Sequence, residues 1–134
     1  TVHGIAEQDV RRHALESLDA VAGWAPELAR EIEGTARGAG LEDWQVAALN
    51  ARTEILALGR HARPRECSTI IANRQAPFSM QTWDWHVELA NAWHLQAVTT
   101  GSRAFVGLTE YGTLGKIGFN DAGVGVHLNV LGHR

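Results

Sequence analysis

Arg65-Glu66-Cys67-Ser68-Thr69-Ile70-Ile71-Ala72 is where a charged, turn-like approach runs into a β-forming apolar segment. Upstream of it the apolar residues recur with a helical period. Between Ala6 and about Gly59, Ala14, Leu15, Leu18, Val21 and Ala22 fall on one face, and Leu28, Ile32 and Ala36 on another at spacings of four. Trp24-Ala25-Pro26 marks a break, with Pro26 suited to the first turn of a second helix and Gly38-Ala39-Gly40 to its end. A third helix is predicted from about Glu42, with Val46, Leu49, Thr53 and Leu56 as its inner stripe. Residues 59–66, with Pro64 and the arginines Arg60, Arg63 and Arg65, read as an exposed linker that can be cut.

Downstream the chemistry is that of short strands. Cys67 to Ala72, Phe78 to Trp83, Trp93 to Thr100, Ala104 to Thr109, Leu114 to Phe119 and Gly123 to Val130 are rich in β-branched and aromatic residues. Asn73-Arg74-Gln75, Gly101-Ser102, Tyr111-Gly112 and Asn120-Asp121-Ala122-Gly123 separate them as turns. Hairpin spacing predicts an antiparallel sheet. Helices followed by strands make the fold class α+β.

A chain of 134 residues with 45% hydrophobic content predicts one domain with a real core. Its net charge of −3 and scattered basic residues argue against a nucleic-acid footprint. No apolar run approaches bilayer-spanning length and no signal-peptide core is visible, so no membrane partner is expected. A single cysteine excludes an internal disulfide and suits a reducing, cytoplasmic compartment. His86, His94, His127 and His133 lack a tight ligand spacing, which points to no metal, and no cofactor is implied. The glycines Gly112, Gly115, Gly118, Gly123 and Gly125 follow turn and strand spacing without a Gly-Lys-Ser or Gly-Lys-Thr sequence, and read as turns and close packing rather than a phosphate loop.

Cys67 is the candidate nucleophile. Were the peptide bond between Glu66 and Cys67 cut, the thiol would gain a free α-amine on its own Cα. An α-amine has a reference pKa of about 7.7–8.0 and a thiol about 8.5, so one residue would carry nucleophile and base near neutral pH. The bland alternative is a small buried hydrophobe.

Several ordered blocks bear on the choice: Asn50-Ala51-Arg52-Thr53-Glu54-Ile55, Gln81-Thr82-Trp83-Asp84-Trp85, Thr109-Glu110-Tyr111-Gly112, Gly115-Lys116-Ile117-Gly118-Phe119-Asn120 and Gly123-Val124-Gly125-Val126-His127-Leu128-Asn129. Together these resemble the autoproteolytic acyltransferases related to acyl-coenzyme A:6-aminopenicillanic acid acyltransferase, also classed as a cysteine peptidase family. The resemblance runs from about Trp24 to the end. It implies an N-terminal-nucleophile (Ntn) hydrolase, made as a precursor that cuts itself immediately before the cysteine, with a four-layer αββα sandwich as the complete fold. On this reading residues 1–66 are a helical pro-segment or α-subunit part ending in the 59–66 linker, and residues 67–134 start the catalytic β-subunit of the same domain. The implied substrate is a small-molecule acyl amide or acyl-coenzyme A type compound.

The resemblance also assigns residues. Glu66 and Cys67 flank the cleavage site, and the Cys67 sulfur would carry the acyl group as a thioester. Asp84 falls on the family's aspartate and would hold or orient the new amine; alternatively, it is a turn former between Trp83 and Trp85. Thr69 shares the Cys67 face of the strand by two-residue alternation, so its hydroxyl can bond the thiol or amine; otherwise it is an ordinary strand residue. Asn129 aligns with a position whose backbone N–H helps to form the oxyanion hole in related bile-salt-hydrolase-type amidases. Those amidases carry an arginine in place of Gln81. Trp83, Trp85 and Trp93 can line an acyl pocket or belong to the core.

The chain also departs from the family. Glu66 stands where relatives usually have a small residue, often glycine, and an intact or incompletely matured segment is therefore expected. The sequence begins at Thr1 without the opening strand and ends at Leu131-Gly132-His133-Arg134, before the family's side-chain asparagine and its arginine partner of the aspartate. A portion of a longer enzyme is expected, with the remainder as its partner. The competing reading is a non-catalytic α+β fragment or degenerate relative that keeps the fold.

Overall fold

The computed structural model describes residues 4–59, 67–84 and 87–129. Its helices are α1 (Glu7–Trp24), α2 (Pro26–Ala39), α3 (Asp43–Asn50) and α4 (Arg52–Ala57). Strands β1 (Thr69–Ala72), β2 (Phe78–Gln81), β3 (Trp93–Thr100), β4 (Arg103–Glu110), β5 (Ile117–Asn120) and β6 (Gly125–Val126) follow. The class is α+β, compatible with part of an Ntn-type fold. Two compact units result: the helical segment together with Gly112–Leu114, and the strand segment without those residues. The 60–66 part of the linker lies outside the described residues, as does Val130.

In the helical unit the punctuation follows the sequence. Pro26 opens α2, where its missing N–H costs nothing, and Gly40 closes it in the left-handed region at φ 67°. Glu42 and Gln45 form a reciprocal capping box at the start of α3. Ala14, Ala29, Ala36, Ala47 and Ala51 are buried beside Leu18, Ile32, Val46 and Ile55. Small side chains at these contacts let helix axes approach closely.

The inner stripe of the third helical segment differs from expectation. Val46 is buried, but Leu49 and Thr53 face outward, and Ala47, Ala51 and Ile55 take the core positions. The helix is interrupted at Ala51, whose φ of −96° and ψ of 14° leave the helical region before α4 begins. Leu15 and Ala22, expected on the inner face of α1, are likewise exposed, because the buried stripe there is narrower than the apolar one. Asn50 ends α3 by donating through Nδ2 to Val46 O at 2.9 Å and Gly112 O at 2.8 Å, and accepts from Leu114 N at 3.0 Å. Its carboxamide thereby satisfies the backbone of the short 112–114 segment.

In the strand unit β1 and β2 form a hairpin, and β3-β4-β5-β6 a four-stranded antiparallel meander. The strands therefore divide between two sheets. Several are shorter than their β-rich stretches: β2 stops at Gln81, β5 starts at Ile117, and β6 is only Gly125–Val126. Gly107 and Gly118 face each other across β4 and β5. A Cβ on Gly118 would lie 2.5 Å from Val106 O and 2.8 Å from Gly107 Cα, so glycine is required by close backbone approach.

The β4 end is buried and charged. Glu110 is 4% exposed and pairs with Lys116, whose Nζ also lies 4.5 Å from the centroid of the Trp83 ring. Two desolvated opposite charges are tolerable because each supplies the other's counter-charge. Glu110→Gln, which keeps the shape and removes the charge, should destabilise the strand unit by about 3–5 kcal/mol. Urea unfolding checks this, and a loss within the error of the measurement would show that the pair is dispensable.

Candidate functional site

The hairpin register places Thr69 opposite Gln81. Pairing continues one step further, with Thr82 N donating to Ser68 O at 2.9 Å. The reciprocal bond is made by a side chain, because Ser68 N donates to Thr82 Oγ1 at 3.0 Å. Cys67 thus begins the residues that run into β1, half-buried and with a free thiol. By alternation it shares a sheet face with Thr69 and Gln81.

Two of the predicted site residues are brought together directly. Asn129 Nδ2 donates to Thr69 Oγ1 at 2.9 Å, and the same hydroxyl lies 3.3 Å from Asn129 Oδ1. Asn129, singled out for its backbone, therefore also makes a side-chain contact. Asp84 is exposed and sits just past the hairpin, where Thr82 Oγ1 donates to its Oδ2 at 3.4 Å. A relay results in which the Ser68 N–H points to a hydroxyl and the hydroxyl to a carboxylate. It links Asp84 to the residue that follows Cys67. Glu66, and with it the peptide bond proposed for cleavage, lies outside the described residues.

Gln81 and Thr82 also contact this group of residues, although residue type alone assigns neither of them a place in it. Gln81 accepts from Leu128 N at 3.0 Å through Oε1 and donates to Leu128 O through Nε2. The available signal was positional: Gln81 ends a strand and is directly across from Thr69. Trp83 is half-buried, with Lys116 against its ring, whereas Trp93 is 39% exposed and bonds Ala90 O at 2.8 Å. Trp85 is outside the described residues.

An open apolar groove of about 420 Å³ runs over the meander, lined among others by Phe105, Phe119 and Val126. Cys67, Thr69, Asp84 and Asn129 do not line it. The chemistry-bearing residues and this groove are separate features of the strand unit.

No protein-family model matches the chain. Over 108 residues it is 34% identical to the acyl-coenzyme A:6-aminopenicillanic-acid-acyltransferase 40 kDa form of Emericella nidulans. The chain is distantly homologous to that acyltransferase. The match covers 79% of this chain and 30% of the relative, so the chain spans less than a third of the relative's length. Among the described residues no helix is long and apolar enough to cross a membrane.

Thr82→Val tests the relay, since it keeps the branched shape and removes both hydroxyl bonds. Faster amide exchange at Ser68 is expected, with a loss of about 0.5–1.5 kcal/mol in local stability. Thr82→Ser should restore the parent rate; unchanged exchange in the valine variant would remove the hydroxyl from the site.

Proposed function

We propose that this chain carries the nucleophilic part of a self-processing Ntn amidohydrolase or acyltransferase, with Cys67 as nucleophile. In the precursor the Cys67 sulfur adds to the carbonyl carbon of Glu66. The C–N bond to Cys67 then breaks, its nitrogen takes up a proton as the leaving amine, and a thioester remains between Glu66 and the sulfur. Water hydrolyses this thioester, leaving a carboxylate on Glu66 and an N-terminal Cys67. In the mature protein the sulfur attacks a substrate amide or thioester carbonyl and holds the acyl group until water or an acceptor amine takes it. Two easier displacements replace one difficult one.

The observation that carries this reading is the pairing of Thr69 with Asn129, residues 60 positions apart, on the strand that Cys67 leads into. This contact supports a reading in which the Asn129 backbone N–H serves as an oxyanion donor beside the strand that Cys67 leads into. Asp84, linked through Thr82 to Ser68, is assigned to orient the new α-amine. The similarity to an acyltransferase named for acyl-coenzyme A and 6-aminopenicillanic acid supports a small-molecule acyl donor of the amide or acyl-coenzyme A class. The partner is the rest of the enzyme, residues 1–66 form the pro-segment, and the single thiol suits the cytoplasm.

Full-length protein provides the test. Cys67→Ala should remain uncut on a denaturing gel and inactive towards acyl substrates, whereas normal processing of that variant would refute the assignment. Asp84→Asn should fold and lose activity by about 10²-fold, the scale of a positioned acid–base group. Activity within a few-fold of the parent would make Asp84 a turn residue, and an inert but well-folded parent would favour the non-catalytic reading.

A further inference from the structure

The side chain of Gln81 does the work of a strand. Its Nε2 donates to Leu128 O while its Oε1 accepts from Leu128 N, reproducing with one carboxamide the donor and acceptor pair of an antiparallel ladder. It does so where β2 itself has ended. The pairing also fixes which amide atom is which. Because Oε1 is an acceptor only, the contact at 3.2 Å to His127 Nδ1 makes that ring nitrogen the protonated one. One residue further on, Asn129 is held to Thr69 by its side chain. Thr69 and Gln81 are cross-strand partners, so one rung of the β1–β2 hairpin grips two consecutive residues. The Leu128 N–H is committed to Gln81, whereas the Asn129 N–H has no acceptor among the described residues.

We infer that Gln81 is a positioning residue that, together with Thr69, holds the Leu128–Asn129 peptide so that the Asn129 N–H is a fixed donor for the oxyanion formed when the Cys67 sulfur adds to an acyl carbonyl. The inference rests on the proposed acyl-thioester reaction. Such a donor accelerates the reaction only when it is oriented before charge develops, because reorganisation at that moment cancels the gain. A misplacement of about 1 Å is enough to cost about 10²-fold in rate. Gln81 acts through Leu128 and its neighbour, not on the substrate.

Gln81→Met fills similar volume without either bond, and Gln81→Glu is a titratable imitation. Protonated, the carboxyl at this position can donate to Leu128 O and accept from Leu128 N; ionised, it can only accept. The groups in contact with it are His127, whose N–H favours the ionised form, and Leu128 O, which favours the protonated form. The ionisable groups around the same rung include Cys67, two residues before the cross-strand partner Thr69, and Asp84, three residues after Gln81. Titrations common to parent and variant cancel in the ratio of their rates.

The experiment measures amide exchange at Asn129 and acyl-transfer kinetics on full-length protein, with a short-chain acyl thioester as probe. Gln81→Met should speed exchange at Asn129 and lower kcat by about 10²-fold, with KM changed far less. The Gln81→Glu to parent kcat ratio should be highest at low pH and fall as pH rises through the carboxyl's titration. Unchanged exchange and unchanged kcat in Gln81→Met would overturn the inference, as would a pH-independent ratio for Gln81→Glu. Faster exchange in a protein whose parent never acylates Cys67 would refute the underlying reaction instead, and with it this role for Gln81.

Discussion

A primary carboxamide can satisfy the backbone N–H and C=O of one residue at once, and Gln81 does this to Leu128. The geometry of the candidate site depends on that pairing. Among the described residues the β1–β2 hairpin and the four-stranded meander are separate sheets with no shared ladder, and the 127–129 segment leaving β6 pairs with no strand. Gln81 supplies the missing rung, and Thr69 extends it to Asn129. Without these contacts Cys67 would head a two-stranded hairpin, which is marginally stable in isolation.

The same unit holds its charges in a protected place. Glu110 and Lys116 are almost fully buried at the end of β4, against the ring of Trp83, one residue before Asp84. A buried pair of this kind contributes little net stability compared with apolar packing, but breaking it is costly. Its location therefore constrains Trp83 and, through the chain, the start of the segment that carries Asp84. The glycine pair Gly107 and Gly118 plays a complementary part, since it lets β4 and β5 approach where a side chain would not fit.

Much of the fold is legible in the sequence because local rules and tertiary contacts agree. Pro26 and Gly40 bound α2 for reasons internal to the helix, and Gly101 and Gly123 take up positive φ in the expected turns. The stripe Val46, Leu49, Thr53, Leu56 misplaces the core, which follows Ala47, Ala51 and Ile55 at spacings of four; both stripes are helical in period, and periodicity alone does not choose between them. β3 matches its β-rich stretch and β4 exceeds its own by a residue at each end, whereas β1, β2, β5 and β6 are shorter than their composition implied, since β-branched residues also suit extended segments outside any ladder. Cys67, Thr69, Asp84 and Asn129 are candidates that residue type and family resemblance name from the sequence. The Thr69–Asn129 contact is not legible there, because a bond across 60 positions leaves no local pattern. Gln81 and Thr82 were hidden for a related reason: their side chains substitute for backbone groups, and the need for that arises only once the strands have ended.

The central claim is that an acyl group passes through the sulfur of Cys67, and peptide-level mass spectrometry after acid quench tests it most directly. Full-length protein incubated briefly with a short-chain acyl thioester should yield a peptide that begins at Cys67, carries the acyl mass on that residue and loses it to hydroxylamine. Turnover with Cys67 still joined to Glu66, or with the acyl group found on another residue, would contradict the account.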